Sequence, residues 1–189
     1  MFDMCTFMSY THVCIMGNTI LLTGYPGCGK TTIVKKIINI YSGKMGGFYA
    51  QEMREGGLRT GFRMTTLHGQ AGVLAHVNFK SSKRVGKYGV DLEMLDDIGV
   101  RSIYEALENH ALVIIDEIGP MEIASTKFRN AVKDVLRSDC TLLGTIVKRS
   151  IPFTEEIKAS CSNIMEVGLH NREYLADDIL VSLSEGQQR

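Results

Sequence analysis

The sequence has no excess charge of either sign, since 21 Lys and Arg residues balance 21 Asp and Glu residues. Proteins that bind duplex nucleic acid through its phosphates carry a strongly basic surface. Here the basic residues are scattered, and the one cluster, at positions 80–87, is consistent with either a solvated loop or a funnel for an anionic substrate. The composition therefore gives no indication of a nucleic-acid partner.

The cysteines form no C-x-x-C pair of the kind found in redox motifs and zinc sites. Five are present: Cys5, Cys14, Cys28, Cys140 and Cys161. Unpaired thiols indicate a reducing compartment, so we expect a cytoplasmic protein. Four histidines also lack metal-ligand spacing: His68, His76, His110 and His170.

Residues 1–15 lack the cationic start of a signal peptide and the long apolar run of a membrane span. We expect them to be an extension or the product of a misplaced start, outside a single domain at residues 16–189. With 44% apolar residues in 189, the chain is long enough to bury a core without a second domain. We also expect a monomer with no membrane association.

One octapeptide fits the Walker A pattern G-x-x-x-x-G-K-[ST], between an apolar run at 19–23 and a helical pattern at 32–41. Its residues are Gly24, Tyr25, Pro26, Gly27, Cys28, Gly29, Lys30 and Thr31. Glycines allow a tight turn whose N–H groups point at phosphate oxygens. Lys30 would reach the β- and γ-phosphates, and the Thr31 hydroxyl would ligate magnesium. With Thr32, these residues predict a polyphosphate site, in which Cys28 is either a small side chain at a variable position or a thiol with a redox role.

A second apolar run ends in two carboxylates, Asp116 and Glu117, and predicts a buried parallel strand. Such strands present their carboxyl ends at the ligand edge of a sheet. Asp116 is the expected Walker B carboxylate, which would hold magnesium opposite Thr31. Glu117 would deprotonate the attacking water, the alternative being a solvated acid at a strand end. The nucleotide-binding segment predicted here comprises Leu112, Val113, Ile114, Ile115, Asp116, Glu117, Ile118 and Gly119.

Several of these strings together resemble a known family. They are GYPGCGKTT at the octapeptide, GFYAQEMREGGLRTGFRMTTL at 47–67, VGKYGVDLE at 85–93, LVIIDEIGPMEIAS at 112–125, LLGTI at 142–146 and HNREYL at 170–175. The chain is similar to the small P-loop nucleoside-triphosphatases of thermophiles and, as the cancer-related nucleoside triphosphatase, of animals, over nearly everything after Met16. The resemblance implies slow, Mg²⁺-dependent hydrolysis of nucleoside 5′-triphosphates (ATP, GTP and others) to diphosphate and phosphate, with broad base tolerance.

The resemblance also implies an α/β, three-layer P-loop NTPase fold of the additional-strand, RecA-like type, with a mostly parallel sheet and an antiparallel hairpin insertion. Thr145 would be the polar sensor of the additional strand, or only a β-branched strand residue. Asn171 and Arg172 would contact the base or ribose, although Asn171 is equally suited to cap the last helix. Lys148 and Arg149 would stabilise phosphate charge or form a surface pair.

The remaining layout follows from apolar periodicity. It has a glycine break at 43–47, strands at 48–53, 59–67, 71–77, 141–147 and 163–167, and helices at 91–109, 126–137, 153–160 and 172–183. Glu52, Arg54 and Arg59 would pair across the hairpin or reach the site, and pairing is favoured. Two other functions stay open: a nucleotide or small-metabolite kinase, and a nucleotide-dependent switch that acts on a partner.

Overall fold

The computed structural model describes residues 18–161 and 163–186, apart from the side chains of residues 185 and 186. Residues 1–15, expected to be an extension, lie outside this part of the chain. None of the helices in the described ranges combines the length and apolar character needed to cross a bilayer.

Nine strands form one sheet within the described ranges, in the order β5-β6-β4-β3-β2-β7-β8-β1-β9. They are β1 Thr19–Thr23, β2 Met45–Glu55, β3 Leu58–Thr66, β4 Ala71–His76, β5 Arg84–Val85, β6 Tyr88–Val90, β7 Leu112–Ile118, β8 Leu142–Ile146 and β9 Asn163–Glu166. The neighbours β2, β7, β8, β1 and β9 are parallel. From β2 outward, β3, β4, β6 and β5 continue the sheet with antiparallel pairing. Because β8 lies between β7 and β1, the predicted additional-strand topology is confirmed.

Helices cover both faces of the sheet and complete the three predicted layers. They are α1 Lys30–Ile40, α2 Leu92–Met94, a π-helical stretch Leu95–Val100, α3 Arg101–Glu108, a 3-10 turn Glu122–Ala124, α4 Thr126–Arg137, α5 Pro152–Ala159 and α6 Leu175–Gly186. Strand side chains alternate between the faces, so that Ile20 packs with α1 and α6, whereas Leu21 packs on the side of α3, α4 and α5. This alternation buries the central strands on both faces, as parallel sheets require.

The helix predicted at 126–137 is confirmed, together with its cap. The backbone N–H of Phe128 donates a 3.1 Å hydrogen bond to the Ser125 hydroxyl. Asp91 caps α2 in the same way through the N–H of Met94. The predicted helix at 91–109 is confirmed in extent, although its middle turn is π-helical rather than α-helical.

Two predicted boundaries are wrong, and one short hairpin was not predicted. The segment 43–47 is not a break, because β2 already begins at Met45 and pairs with β7 from there. Gly47 has φ +99°, and a Cβ on it would lie 2.0 Å from the carbonyl oxygen of Ile114, so glycine is what lets the two strands pair. The last helix starts at Leu175 instead of position 172. The short β5–β6 hairpin was not predicted, because two and three residues show no periodicity.

Candidate active site

The octapeptide forms the turn between β1 and α1. Gly24, Gly27 and Gly29 all have positive φ, which non-glycine residues rarely adopt. A Cβ at Gly24 would lie 2.8 Å from both the carbonyl oxygen of Val167 and the sulfur of Cys28. The tight turn therefore rests on glycine, as the sequence predicts.

The ammonium group of Lys30 lies inside this turn. It donates hydrogen bonds of 3.1 Å to the Gly24 carbonyl oxygen and 3.3 Å to the Tyr25 carbonyl oxygen. These carbonyls hold the positive charge at the mouth of the loop. Burial raises the pKa values of the Asp116 and Glu117 carboxyls, and the Lys30 charge partly opposes this rise.

A cavity of about 600 Å³ opens between the octapeptide, the carboxyl ends of β7 and β8, and the β2–β3 hairpin. The loop and α1 contribute Pro26, Gly27, Gly29, Lys30, Thr31, Thr32 and Lys35. The sheet edge contributes Asp116, Glu117, Pro120, Met121, Glu122, Thr145 and Val147. The hairpin region contributes Ala50, Gln51, Glu52, Arg59, Phe62 and Val85.

Asp116 is buried at the edge of this cavity, with 2% of its surface exposed. Thr145 donates a 2.7 Å hydrogen bond to Asp116 Oδ1, whereas Oδ2 has no hydrogen-bond partner among the described residues. Burial raises the pKa of the Asp116 carboxyl, and the hydroxyls of Thr145 and Thr31 and the ammonium of Lys30 lower it. A buried carboxylate oxygen without a partner is costly unless a cation or a water satisfies it.

Two further carboxyl groups lie beside Asp116. Glu117 follows it through a cis peptide bond, and burial raises the pKa of the Glu117 carboxyl. Burial, and then the negative charge of Glu117, raise the pKa of Glu122 to about 8. This shift favours the neutral form of Glu122 near pH 7, next to two carboxyl groups at the sheet edge.

The structure brings most of the predicted site residues together. Those that line the cavity are Pro26, Gly27, Gly29, Lys30, Thr31, Thr32, Asp116, Glu117 and Thr145. Those outside its lining, in the same loop or strand end, are Gly24, Tyr25, Cys28, Ile118 and Gly119. Leu112, Val113, Ile114 and Ile115 were predicted to bind nucleotide, but they lie in the buried core of β7. This part of the prediction is corrected because only the end of the strand reaches the cavity.

Thr145 has a contact other than the predicted one. Its hydroxyl donates to Asp116 Oδ1, so the proton expected to meet the γ-phosphate or the attacking water is directed at the carboxylate. The side chain is fully buried. Its position at the end of β8 thus fixes the orientation of Asp116.

Asn171 and Arg172 do not line the cavity. The Asn171 side chain accepts a 2.9 Å hydrogen bond from the Gly168 N–H and donates one to the Glu166 carbonyl oxygen. It therefore braces the turn after β9 and does not cap α6, which begins four residues later. The Cδ atom of Arg172 lies 3.9 Å from the position of a Cβ built on Gly29.

Lys148 forms an ion pair with Glu166 and lies 4.4 Å from the centre of the Tyr25 ring. Arg149 is exposed. Neither of them lines the cavity. In this arrangement Lys148 forms a surface ion pair, which was the alternative to a phosphate-stabilising role.

The β2–β3 hairpin forms one wall of the cavity, which sequence reasoning only partly foresaw. Glu52 pairs with both Arg54 and Arg59, as favoured from the sequence, and Glu52 and Arg59 also line the cavity. Hydrogen bonds from Arg54 and Arg59 lower the pKa of the Glu52 carboxyl against a desolvation effect that raises it. No role was predicted for Glu122, for which the available signal was a third carboxylate six positions after Asp116.

The comparison with known proteins agrees with this architecture. A protein-family model described as NTPase matches residues 19–180. The chain belongs to this NTPase family. The resemblance noted in the sequence is thereby confirmed.

Similar proteins and structures point the same way. Nucleoside-triphosphatase THEP1 of Thermotoga sp. (strain RQ2) is 47% identical over 162 residues, covering 85% of this chain and 92% of that protein. THEP1 of Methanocaldococcus jannaschii is 39% identical over 171 residues, with 88% and 98% coverage. The crystal structure of THEP1 from Aquifex aeolicus aligns with a TM-score of 0.80 at 34% identity, with 87% and 98% coverage. The solution structure of a human cancer-related nucleoside triphosphatase aligns with a TM-score of 0.76 at 32% identity, with 89% and 98% coverage.

Proposed function

We propose that this protein hydrolyses nucleoside 5′-triphosphates, such as ATP and GTP, to the diphosphate and phosphate in a magnesium-dependent reaction. The observation that carries the proposal is the sharing of one cavity by Lys30, Thr31, Asp116 and Glu117. Membership of the NTPase family and the names of its relatives support the same activity. Slow turnover with broad base tolerance belongs to the proposal, as does a reducing, cytoplasmic setting.

The residues present fit a magnesium ion. Asp116 Oδ2 is buried without a partner, and the Thr31 hydroxyl faces the same cavity. Magnesium prefers oxygen ligands such as a carboxylate and a hydroxyl. Thr31 and Asp116 would hold it, and when bound it would neutralise charge on the β- and γ-phosphates.

Glu117 is the proposed general base, because it follows Asp116 and lines the same cavity. A carboxylate in that position can orient and deprotonate the water that attacks the γ-phosphorus. Lys30 would leave its loop carbonyls for the phosphate oxygens and stabilise the charge that develops on them. Thr145 would act on the reaction through Asp116, whose carboxylate it orients.

Base recognition is assigned to the turn after β9. The position of Arg172 near Gly29 supports stacking of its guanidinium on a base. Stacking does not read base identity, which would suit a broad range of nucleotides. Asn171 would contribute indirectly by holding the turn through its two hydrogen bonds.

The test is phosphate release from a panel of nucleoside triphosphates, with Mg²⁺ and with excess chelator. We expect release from purine and pyrimidine nucleotides alike, and its loss on chelation. Addition of candidate phosphoryl acceptors distinguishes a hydrolase from a kinase. A kinase would transfer the phosphoryl group to the acceptor and would release little phosphate in its absence. No phosphate release from any nucleotide in the presence of Mg²⁺ would refute the proposal.

A further inference from the structure

A second group of ligand-type side chains lies at the opposite edge of the sheet from the nucleotide cavity. His110 lies just before β7, and Asp139 and Cys140 lie just before β8. One ligand atom from each of the three lies within 4.8 Å of the others. The chain separates them by 29 and 30 positions, which is why sequence spacing alone gave no metal site.

Two of the three distances between these atoms are close to the edges of a tetrahedron around one metal ion. His110 Nδ1 lies 3.5 Å from Asp139 Oδ1, and Cys140 Sγ lies 3.9 Å from the same oxygen. A zinc ion at its usual bond lengths requires edges of about 3.3 Å between nitrogen and oxygen and about 3.6 Å between sulfur and oxygen. Shifts of a few tenths of an ångström would therefore bring these two pairs of atoms to zinc-binding distances.

Backbone hydrogen bonds hold one of the ligands, Cys140, in place without a metal. The Cys140 N–H donates a 3.1 Å hydrogen bond to the Ser138 hydroxyl, which in turn donates to the Val135 carbonyl oxygen. A backbone hydrogen bond of 2.9 Å from Val113 to Thr141 then joins the two strands next to the cluster. The loop before β8 is thus ordered by its own contacts, as preorganised ligands require.

His110 occupies a position at which a side chain is unfavourable. It follows the end of α3 with φ +47°, the only positive φ of a non-glycine residue among the described ones. The backbone N–H of His110 donates a hydrogen bond to the Leu107 carbonyl oxygen. The backbone N–H of Ala111 donates one to the Ala106 carbonyl oxygen. This is a Schellman motif, in which glycine is the usual residue at the position of His110. Retaining an imidazole there at a conformational cost points to a role for the ring.

The cluster also has room for a further ligand. It borders a cavity of about 160 Å³ that Tyr41, Leu112, Thr141 and Leu183 help to line. A zinc site with three protein ligands keeps its fourth position for water or another small ligand.

We propose that His110, Asp139 and Cys140 bind one zinc ion, with a fourth, exchangeable position facing the cavity beside Tyr41. The nitrogen, oxygen and sulfur donor set favours zinc over magnesium or calcium, which avoid thiolates. The site is distinct from the magnesium site of the nucleotide cavity. It would clamp the starts of β7 and β8, the two strands whose opposite ends carry Asp116 and Thr145.

The test is cobalt and zinc binding to the chelator-treated full-length chain. Cobalt should give a thiolate charge-transfer band in the near ultraviolet at one equivalent, and zinc should displace it. We expect a dissociation constant for zinc of about 1 µM or lower. Four-ligand structural sites bind zinc more tightly than this. At about 100 times that concentration, zinc should raise the unfolding midpoint by about 5 to 10 °C.

Three variants distinguish a metal site from a merely structural cluster. His110→Gly should remove the cobalt band and the zinc-induced shift while leaving metal-free stability unchanged or higher, because glycine suits the Schellman position. Cys140→Ser should also remove the band, and Cys161→Ser, a half-buried thiol outside the cluster, should keep it. No cobalt band in the wild type, or its persistence in His110→Gly or Cys140→Ser, would overturn the proposal.

Discussion

The hydroxyl of Thr145 donates a 2.7 Å hydrogen bond to Asp116 Oδ1 and so connects the ends of β8 and β7 at the floor of the nucleotide cavity. Both side chains are buried, so this bond is shielded from water. The other carboxylate oxygen, Asp116 Oδ2, is buried and has no hydrogen-bond partner among the described residues. The bond thereby fixes which carboxylate oxygen is free for a cation.

Replacing Thr145 by valine should cost both stability and activity. Thr145→Val removes the hydroxyl but keeps the β-branched shape, which leaves Asp116 Oδ1 buried without a donor at a cost of about 1 to 3 kcal/mol. Denaturant unfolding should report this loss, and phosphate release should fall together with Mg²⁺ affinity. Thr145→Ser restores a hydroxyl and should recover most of both. Wild-type stability and turnover in Thr145→Val would contradict the role given to this bond.

The general-base assignment predicts a separation of binding from turnover. Glu117→Gln keeps the size and hydrogen-bonding capacity of the side chain but cannot accept the proton of the attacking water, so turnover should fall by about a hundredfold or more. Nucleotide affinity should change little. Fluorescent-nucleotide binding and phosphate release measure the two effects. Glu105→Gln, on the outer surface of α3, is the matched control and should behave as the wild type. An unchanged turnover rate in Glu117→Gln would show that Glu117 is not the general base.

For Lys30, binding and turnover should fall together. Lys30→Ala removes the ammonium that the loop carbonyls hold at the cavity mouth, and with it contacts to phosphate oxygens in both the ground state and the transition state. Isothermal titration with ATP should show the affinity loss. Lys36→Ala is a suitable control on the same helix, because Lys36 pairs with Asp177 outside the cavity. Near-wild-type ATP affinity in Lys30→Ala would argue against the octapeptide as the phosphate site.

Glu122 should make the protein less stable as the pH rises. Its folded pKa is raised from 4.5 to about 8, so between these values the folded state binds more protons than the unfolded state. The Glu122 contribution to the free energy of unfolding is therefore fully present below about pH 4.5 and is lost as the pH rises to about 8 and above.

The comparison of Glu122→Gln with the wild type isolates this effect. Glutamine keeps the shape of the neutral acid, so thermal unfolding midpoints should decline less from pH 6 to pH 9 in Glu122→Gln than in the wild type. Glu173→Gln, an exposed change near the start of α6, should follow the wild-type curve. Parallel pH profiles of Glu122→Gln and the wild type would show that Glu122 titrates normally.

Much of the central sheet could be predicted because its signals are local. The glycines of the octapeptide and the apolar run before Asp116 each specify a strand and its end, and parallel strands bring their ends to one edge. The hairpin could be predicted from alternation and its glycine turn. These elements explain why the sequence predicts Lys30 and Asp116 in one site.

The remaining features depend on contacts between distant parts of the chain. Nothing in the sequence distinguishes Glu122, buried and protonated, from a carboxylate in solvent. Likewise, a threonine in a strand does not reveal that its hydroxyl meets Asp116. The approach of His110 to Cys140 arises only because β7 and β8 are adjacent, which spacing along the chain cannot express.

One uninterrupted strand, β2, pairs with β7 as far as Tyr49 and then continues as the first arm of the hairpin. The wall of the cavity opposite the octapeptide is therefore β-sheet anchored in the parallel core, with a register shift between Met53 and Arg54, and its far end is the turn at Gly56 and Gly57. Both glycines have positive φ, +55° and +80°, and must stay glycine, whereas the neighbouring Leu58 side chain is 74% exposed. Position 58 thus offers an attachment point for a reporter group at the tip of this wall, away from the elements that hold the phosphates.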